Sequence, residues 1–317
     1  MSASSSEGSV LSWLLEEDQP SVRYFTLVDL LGHPPSSGET RSAYDQISRR
    51  GWAKQILDAQ RKGGNWESRK SIYRPKYTAT NWRMLVLSDL GLTKKNRRIE
   101  RACELFFADW LKEELPVTEG EICIVGNLAR MLTRFGYIDD TRVKGLFNWI
   151  VKNQKDDGGW HCFKSKTGTL DCWEGLGAFA ALPRGLWTRS IKRSAERGAE
   201  FYLERHLMEE GPRYGPWLRL HYPNHYYYDI LLGLDIVTKL GYADDKRLRP
   251  ALAILEKKAR ADGTWAIDKV HPDVESRYRP HYRLKGEPKA FALEEPGEPS
   301  KWMTLKSLRV MKRVSES

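Results

Sequence analysis

RFGYIDDTRV, from Arg134 to Val143, and KLGYADDKRL, from Lys239 to Leu248, are two copies of one junction. Each is followed by an amphipathic stretch that closes on DGGW at Trp160 or DGTW at Trp265. The two tryptophans stand 105 residues apart (265 − 160), as do Gly136 and Gly241. QRKGGNW, from Gln60 to Trp66, is a weaker third copy of the ending. Such repetition decides the architecture before any single helix does. A glycine after an apolar helical run suits a left-handed C-terminal cap, and an aspartate a few residues later can cap the next helix, so GYxDD reads as a tight helix-to-helix turn. Asp157-Gly158-Gly159 and Asp262-Gly263 end the following helix in the same way. The tryptophan after each reads as a large apolar plug between repeats.

Working outward with apolar residues three and four apart gives twelve helices. The outer set is expected over Val10–Glu17, Ala43–Gln60, Lys95–Leu111, Thr141–Gln154, Ile191–Leu207 and Lys246–Arg260. The inner set is expected over Val22–Leu31, Thr80–Leu90, Cys123–Phe135, Cys172–Leu182, His225–Leu240 and Trp302–Lys312. Six alternating pairs are enough to close a ring, so the expected fold is all-α, an (α/α)6 toroid over 9–313 behind a flexible N-terminus at 1–8. Connections from inner to outer helices are mostly short; those from outer to inner are long. Long irregular loops in a compact domain are usually functional, which places the expected site at the end where the inner helices begin. Aligned helix N-termini there would favour anionic groups.

Composition sets outer bounds. The 317 residues carry a formal charge of +10, with 52 Lys and Arg against 42 Asp and Glu. An anionic partner is implied: a phosphorylated substrate, a lipid surface or nucleic acid. Part of the excess lies in helix-like runs, KKNRRIER from Lys94 and RSIKRSAER from Arg189, whose plain reading is a solvated outer face. No recognised helix-turn-helix, zinc-finger or RNA-binding signature is present, which makes nucleic acid the weaker reading. No run approaches the 18 or so apolar residues of a membrane span, and the opening MSASSSEGS lacks a signal-peptide layout, so the expected location is the cytoplasm. Four cysteines without a secretory signal argue for free thiols or metal ligands rather than a disulfide frame.

With QKDDGGW at Gln154, ADGTW at Ala261 and the six-pair layout, the chain resembles the terpenoid cyclase and protein prenyltransferase superfamily of toroids, the prenyltransferase and squalene-cyclase repeat proteins, over nearly its whole length. Its closing segment, EEPGEPSKWMTLKSLRVMK from Glu294, resembles a prokaryotic branch of squalene-cyclase-like proteins. The resemblance implies one of two chemistries. Cyclases of the protonating type carry an Asp-x-Asp-Asp acid, which this chain lacks; Asp139-Asp140, Asp156-Asp157 and Asp244-Asp245 read as helix caps at turns. The prenyltransferases hold zinc with an Asp, a Cys shortly after it and a His at the head of a later inner helix. Asp171, Cys172 and His225 are the comparable residues here, although the family separates its Asp and Cys by one position and these two are adjacent.

Read by residue type, Cys123, Cys162, Cys172 and His225 are the candidate zinc ligands, with His161 or Asp171 as substitutes, because thiolates and imidazole suit a tetrahedral site. The competing reading makes Cys123 and Cys172 small buried fillers. Asp171, Asp229, Glu121 and Tyr226 are the candidate catalytic groups, with Glu119 a further carboxylate at the same end. Tyr77, Trp82, Tyr222, Tyr227 and Trp302, joined by Tyr226 and Tyr228, form a candidate aromatic wall for an isoprenoid or a passing carbocation; wedging between helices explains such rings equally well. Asn127 and Arg130 follow Cys123 on its helix, and their spacing turns one toward the cavity and the other away. Arg69, Lys70, Arg74, Lys76, Lys164, Lys166, Arg277, Arg279, Arg283 and Lys285 could clamp a diphosphate or simply solvate the loops. Two functions follow: an enzyme acting on an apolar, isoprenoid-like substrate in the ring's centre with zinc assistance, or a non-catalytic binder with a structural metal and a basic mouth for an anionic lipid, peptide or nucleic acid.

Overall fold

A computed structural model describes residues 3–112, 121–209, 215–225, 227–269 and 293–317. Among them there is no β-strand, only two isolated bridges, His221 with Lys269 and Ala266 with Pro299. Helices alternate between an outer and an inner layer. Helix α1 (Ala3–Leu14) precedes inner α2 (Pro20–Phe25), which a π-helical turn extends over Thr26–Leu30. Then α3 (Gly38–Gln46) and α4 (Gly51–Asp58) share one outer position before inner α5 (Thr80–Asp89). The remaining pairs are α6 (Arg97–Asp109) with α7 (Ile122–Phe135), α8 (Thr141–Lys152) with α9 (Glu174–Ala181), α10 (Arg189–Glu204) with α11 (Ile230–Lys239), and α12 (Arg249–Lys257) with α13 (Lys301–Ser315). The layers are legible in burial. Every residue from Val125 to Thr133 on α7 is buried, whereas α10 buries Ile191, Ala195, Gly198 and Tyr202 along one stripe and turns its Lys and Arg outward.

Three turns show the repeat in full. Trp66, Trp160 and Trp265 each donate their indole N–H to the carbonyl ten residues earlier, Ile56, Ile150 and Leu255, at 2.7, 2.9 and 2.8 Å. In each turn a glycine, Gly64, Gly158 or Gly263, holds φ of 84, 91 or 80°. A side chain there would be strained. At Gly158 it would also meet the Arg197 carbonyl oxygen at 2.4 Å. Gln60 and Gln154 bind the turn to the next outer helix, through Arg98 O on α6 and Ser194 O on α10. The third turn has Ala259 in that place, and its Gly263 faces Val10 of α1.

Contacts run from α5 to α7, α9, α11 and α13, and from α13 back to α2. The remaining link is the Ser21 hydroxyl of α2, which donates to Leu90 O just past α5 at 2.9 Å. Between α7 and α9 the approach is closest: a methyl on Gly126 would lie 2.5 Å from the Glu174 carbonyl. Inner helices α5, α7 and α11 end alike on Gly91, Gly136 and Gly241, with φ near 90° and the next amide reaching back to Leu87, Leu132 and Val237. N-terminal side-chain caps come from Asn96, Asp140 and Thr188 on outer α6, α8 and α10, and from Asp229 and Ser300 on inner α11 and α13. Glu294 reinforces the last of these by accepting from Ser300 Oγ, Lys301 N and Trp302 N.

Several element bounds differ from expectation: α1 spans Ala3–Leu14 against the expected Val10–Glu17, and α12 begins at Arg249 after a 3-10 turn at Lys246–Leu248, while two differences have a local cause. The helix expected over Ala43–Gln60 is two helices, because the chain bends at Gly51, whose φ is 63° and whose missing side chain leaves room for Gln19 and the Asp18 carbonyl. The helix expected to begin at His225 begins at Ile230, since Asp229 is its cap and His225 has φ of 50°.

Candidate functional site

Among the described residues, the end where the inner helices begin is filled by packed side chains rather than lined as an open mouth. Tyr77 stacks on the His225 ring at 5.4 Å between centroids, and Trp82 meets the same ring edge-on at 5.0 Å while donating to Tyr73 O. His225 is buried, its carbonyl accepts from Asn127 Nδ2 at 2.8 Å, and burial pushes its pKa down to about 3, so the ring is neutral. Asp229 is fully buried and accepts from His221 N, Asn224 Nδ2 and Leu232 N, with His221 Nδ1 at 3.0 Å. Burial alone would raise its pKa; His221, Lys306 and these hydrogen bonds outweigh that and hold it low. Asp171 accepts from Trp217 Nε1 at 2.7 Å, and Tyr227 packs edge-on to His221. Asp171 and Asp229, two of the residues expected to catalyse at this end, are therefore engaged in holding the loops. Tyr226, Glu119, Arg277, Arg279, Arg283 and Lys285 lie outside the described residues.

A cavity of about 1150 Å3 opens instead at the opposite end, where the inner helices finish and the turns are short. Its wall is formed by the last turns of α5, α7, α9, α11 and α13, and Trp173, Tyr222, Asn224 and Trp302 lie beneath them. Nine Lys and Arg side chains line it against five carboxylates. Asp89 is one hub. It pairs with Arg134, with Arg130 Nη1 at 2.9 Å, and accepts from the Tyr222 hydroxyl at 3.2 Å. Burial would raise the Asp89 pKa, but the two guanidinium groups and Lys306 together lower it. Asp235 is the second hub, with Lys239 Nζ at 2.7 Å and Arg313 Nη2 at 2.6 Å. Its pKa is likewise lowered, against burial, chiefly by Lys239 and Arg313. Both carboxyls are thus ionised. The Tyr222 phenol is held neutral by burial and by the Asp89 charge. Lys306 differs from its neighbours: it is buried, and among the described residues it hydrogen-bonds only to Asn224 Oδ1, at 3.3 Å, with the Tyr222 ring 5.8 Å away. Arg130 lies over the Trp173 ring at 5.1 Å and donates to Asn127 Oδ1 at 3.0 Å, so these two residues, expected to face apart, share one face, as residues three apart on a helix do.

The cysteines expected to converge do so between the first turn of α7 and the loop before α9. Cys172 Sγ stands 3.7 Å from Cys162 Sγ, and the Cys123 thiol also points to Cys162. Burial first, then the charge at Cys162, raises the pKa of the fully buried Glu174 carboxyl beside them. Glu121, also near Cys162, is raised for the same two reasons. The expected zinc set of Cys123, Cys162, Cys172 and His225 is not assembled. His225 is committed to its aromatic stack, and among the described residues no group of three His, Cys, Asp or Glu side chains is arranged to hold a metal ion.

Of the expected aromatic wall, Tyr222 and Trp302 reach the cavity, while Tyr77, Trp82 and Tyr227 are packing residues at the filled end. Sequence reasoning missed Asp89, Arg134, Asp235, Lys306, Arg309 and Arg313. The available signal was a charge inside an otherwise apolar inner helix, as in ILLGLDIVTK, and the spacing of Trp302, Lys306, Arg309 and Arg313 along one face of α13. Among the described residues no helix is long and apolar enough to cross a membrane.

No family model and no curated protein matches the chain. Solved structures similar to it include a protein from Actinoplanes, at 14% identity and TM-score 0.46, covering 98% of each chain. The type II terpene cyclase MstE from Scytonema is similar at 13% identity and TM-score 0.45, covering 99% of this chain and 97% of that one. A variant of that cyclase in complex with geranylgeranyl dihydroxybenzoate, its substrate, is similar at 15% identity and TM-score 0.46, covering 98% and 96%. No functional residue is carried over from them.

Proposed function

We propose that the central cavity takes an isoprenoid-type amphiphile by an anionic head group, and that the chain acts on it as a terpenoid cyclase- or prenyltransferase-like enzyme without first protonating a double bond. The observation that carries this reading is the lining: nine cationic side chains against five carboxylates, above a floor of Trp173, Tyr222 and Trp302. Cations desolvated in a concave site favour phosphate or carboxylate oxygens, and aromatic faces favour an apolar chain or a developing carbocation. Protonation of an alkene needs a carboxyl kept neutral by its surroundings. Asp89 and Asp235 are both held ionised by adjacent cations, so they support charge balance and orientation rather than acid catalysis.

Trp173 and Trp302 border the cavity, so their fluorescence reports on its occupancy. Farnesyl diphosphate is expected to bind at least about a hundredfold more tightly than farnesol, a difference of roughly 3 kcal/mol, and to weaken as salt rises. Equal binding of the uncharged alcohol would refute the anionic head group. Release of inorganic pyrophosphate reads the reaction, and tight binding without release of any product refutes the enzymatic half while leaving the binding half standing.

A further inference from the structure

The thiol cluster is separate from the cavity chemistry above and does not depend on it. Three chain segments bring it together. Cys123 lies in the first turn of α7, Cys162 two residues beyond the wedge Trp160, and Cys172 two residues before α9. The strands of loop carrying Cys162 and Cys172 are pinned side by side. Asp157 accepts from Gly168 N, Thr169 N donates to Trp160 O, and a side chain on Gly168 would lie 2.5 Å from the Gly159 Cα. The two sulfurs stand 3.7 Å apart as free thiols, in contact with each other.

The three sulfurs are not equivalent. Cys162 accepts from the thiols of Cys123 and Cys172 and from the Cys123 backbone N–H, so negative charge is best supported there. Its partners are driven the other way, because the hydrogen bond each gives to Cys162, then burial and the charge at Cys162, keep both protonated. Cys162 and Cys123 are half-buried, whereas Cys172 and Cys103 are buried, so of the contacting pair Cys162 is the more accessible. Thiolate character together with access is what directs oxidation to one cysteine among several.

We propose that Cys162 and Cys172 form a thiol–disulfide modification site for hydroperoxides, with Cys162 as the attacked sulfur and Cys172 as the resolving one. The Cys162 thiolate attacks the terminal peroxide oxygen; the O–O bond breaks, Cys162 becomes a sulfenic acid and the alcohol or water leaves with a proton. The Cys172 thiol then attacks the Cys162 sulfur, its proton and the hydroxyl depart as water, and the S–S bond closes. Two thiols are oxidised by two electrons and one hydroperoxide is reduced.

The test uses the full chain, reduced, desalted and exposed to one to ten equivalents of hydrogen peroxide, then alkylated under denaturing conditions and read by peptide mass spectrometry. The expected product is a peptide pair joined through Cys162 and Cys172, with Cys103 and Cys123 alkylated. Cys172→Ser should stop at a sulfenic acid on Cys162 that a dione reagent traps, and Cys162→Ser should slow peroxide consumption at least tenfold. Cys123→Ser, as a fold control, should still form the bridge. Oxidation of Cys103 at the same rate, or four intact thiols after ten equivalents, would overturn the proposal. So would a Cys123–Cys162 bridge in its place, or a stoichiometric metal ion that shields the three sulfurs from alkylation in the native protein.

Discussion

Replacing Asp89 by Asn removes one negative charge from the point where Arg130, Arg134 and Tyr222 meet. Unit charges about 4 Å apart at an effective dielectric near 20 attract by about 4 kcal/mol. Arg130 is 7% exposed and keeps most of that value, whereas Arg134 is 29% exposed and contributes less. Leaving a buried guanidinium without its carboxylate typically costs about 3–5 kcal/mol, and the 18% exposure of Asp89 puts the expected loss near the lower end. Urea denaturation at unchanged slope should therefore show Asp89→Asn destabilised by about 3 kcal/mol at neutral pH. The pH dependence has a defined sign. The folded-state pKa of Asp89 is lowered, so its stabilisation is complete above the unfolded value near 4 and is lost as pH falls through the folded value. The gap between wild type and variant should stay constant from pH 8 to 5 and shrink below about pH 4. The same substitution leaves nine cations facing four carboxylates, so inorganic pyrophosphate should raise the variant's denaturation midpoint more than the wild type's. A loss under about 1 kcal/mol, or a smaller pyrophosphate effect on the variant, would refute the assignment of Asp89 as the charge-balancing hub.

Three further outcomes can be measured. Trp66→Phe, Trp160→Phe and Trp265→Phe each break one indole hydrogen bond of 2.7–2.9 Å and leave a small void, so each should cost about 2 kcal/mol by urea denaturation, with the three losses within a factor of two. Glu174 has a raised pKa, so wild type loses stability as pH rises above the unfolded value near 4; Glu174→Gln should be about as stable as wild type at pH 4 and more stable at pH 8, and an unchanged difference across that range would contradict the buried neutral acid. In calorimetry with inorganic pyrophosphate, Lys306→Met should weaken binding about tenfold, or about 1.4 kcal/mol, and Lys312→Met by less than about twofold.

The repeat was legible because its chemistry is local. A glycine at positive φ, an aspartate or glutamine beside it and a tryptophan after it specify a turn within a dozen residues, and Trp160 and Trp265 make the same indole hydrogen bond. Convergence of Cys123, Cys162 and Cys172 was legible for a similar reason, since all three fall at inner-helix starts or in the loop between them. The end that carries the cavity was not. Loop length predicted an open mouth, but Tyr77, Trp82 and His225 fill it, and no local pattern distinguishes a ring that lines a void from one that plugs it. Register was the other loss: NHYYYD reads as the head of a helix until Asp229 is recognised as its cap.

The lysines and arginines of the cavity have two possible roles, and depth separates them. The inner helices end at its rim, and each terminus presents roughly half a negative charge that basic residues in the last turn offset. Lys312 and Arg313 sit in the last turn of α13, and Lys312 Nζ already donates to the carbonyls of Asp29 and Leu30 at the neighbouring terminus, 3.1 and 2.9 Å away. Lys312 is thus used up in closing a helix end, and Arg313 is paired with Asp235. Lys306 lies nine residues before Ser315, about 13 Å along the axis at 1.5 Å per residue, beyond the reach of the terminal dipole. Its one hydrogen-bond acceptor among the described residues is the neutral Asn224 side chain. Among the described residues Lys306 makes one hydrogen bond, at 3.3 Å, where Lys312 Nζ makes two, so its ammonium keeps more donor capacity for an anion. The head group is therefore expected beside Lys306 and Arg130, with the chain along Trp173 and Trp302. Equal losses from Lys306→Met and Lys312→Met would show instead that the basic lining serves the helix ends alone.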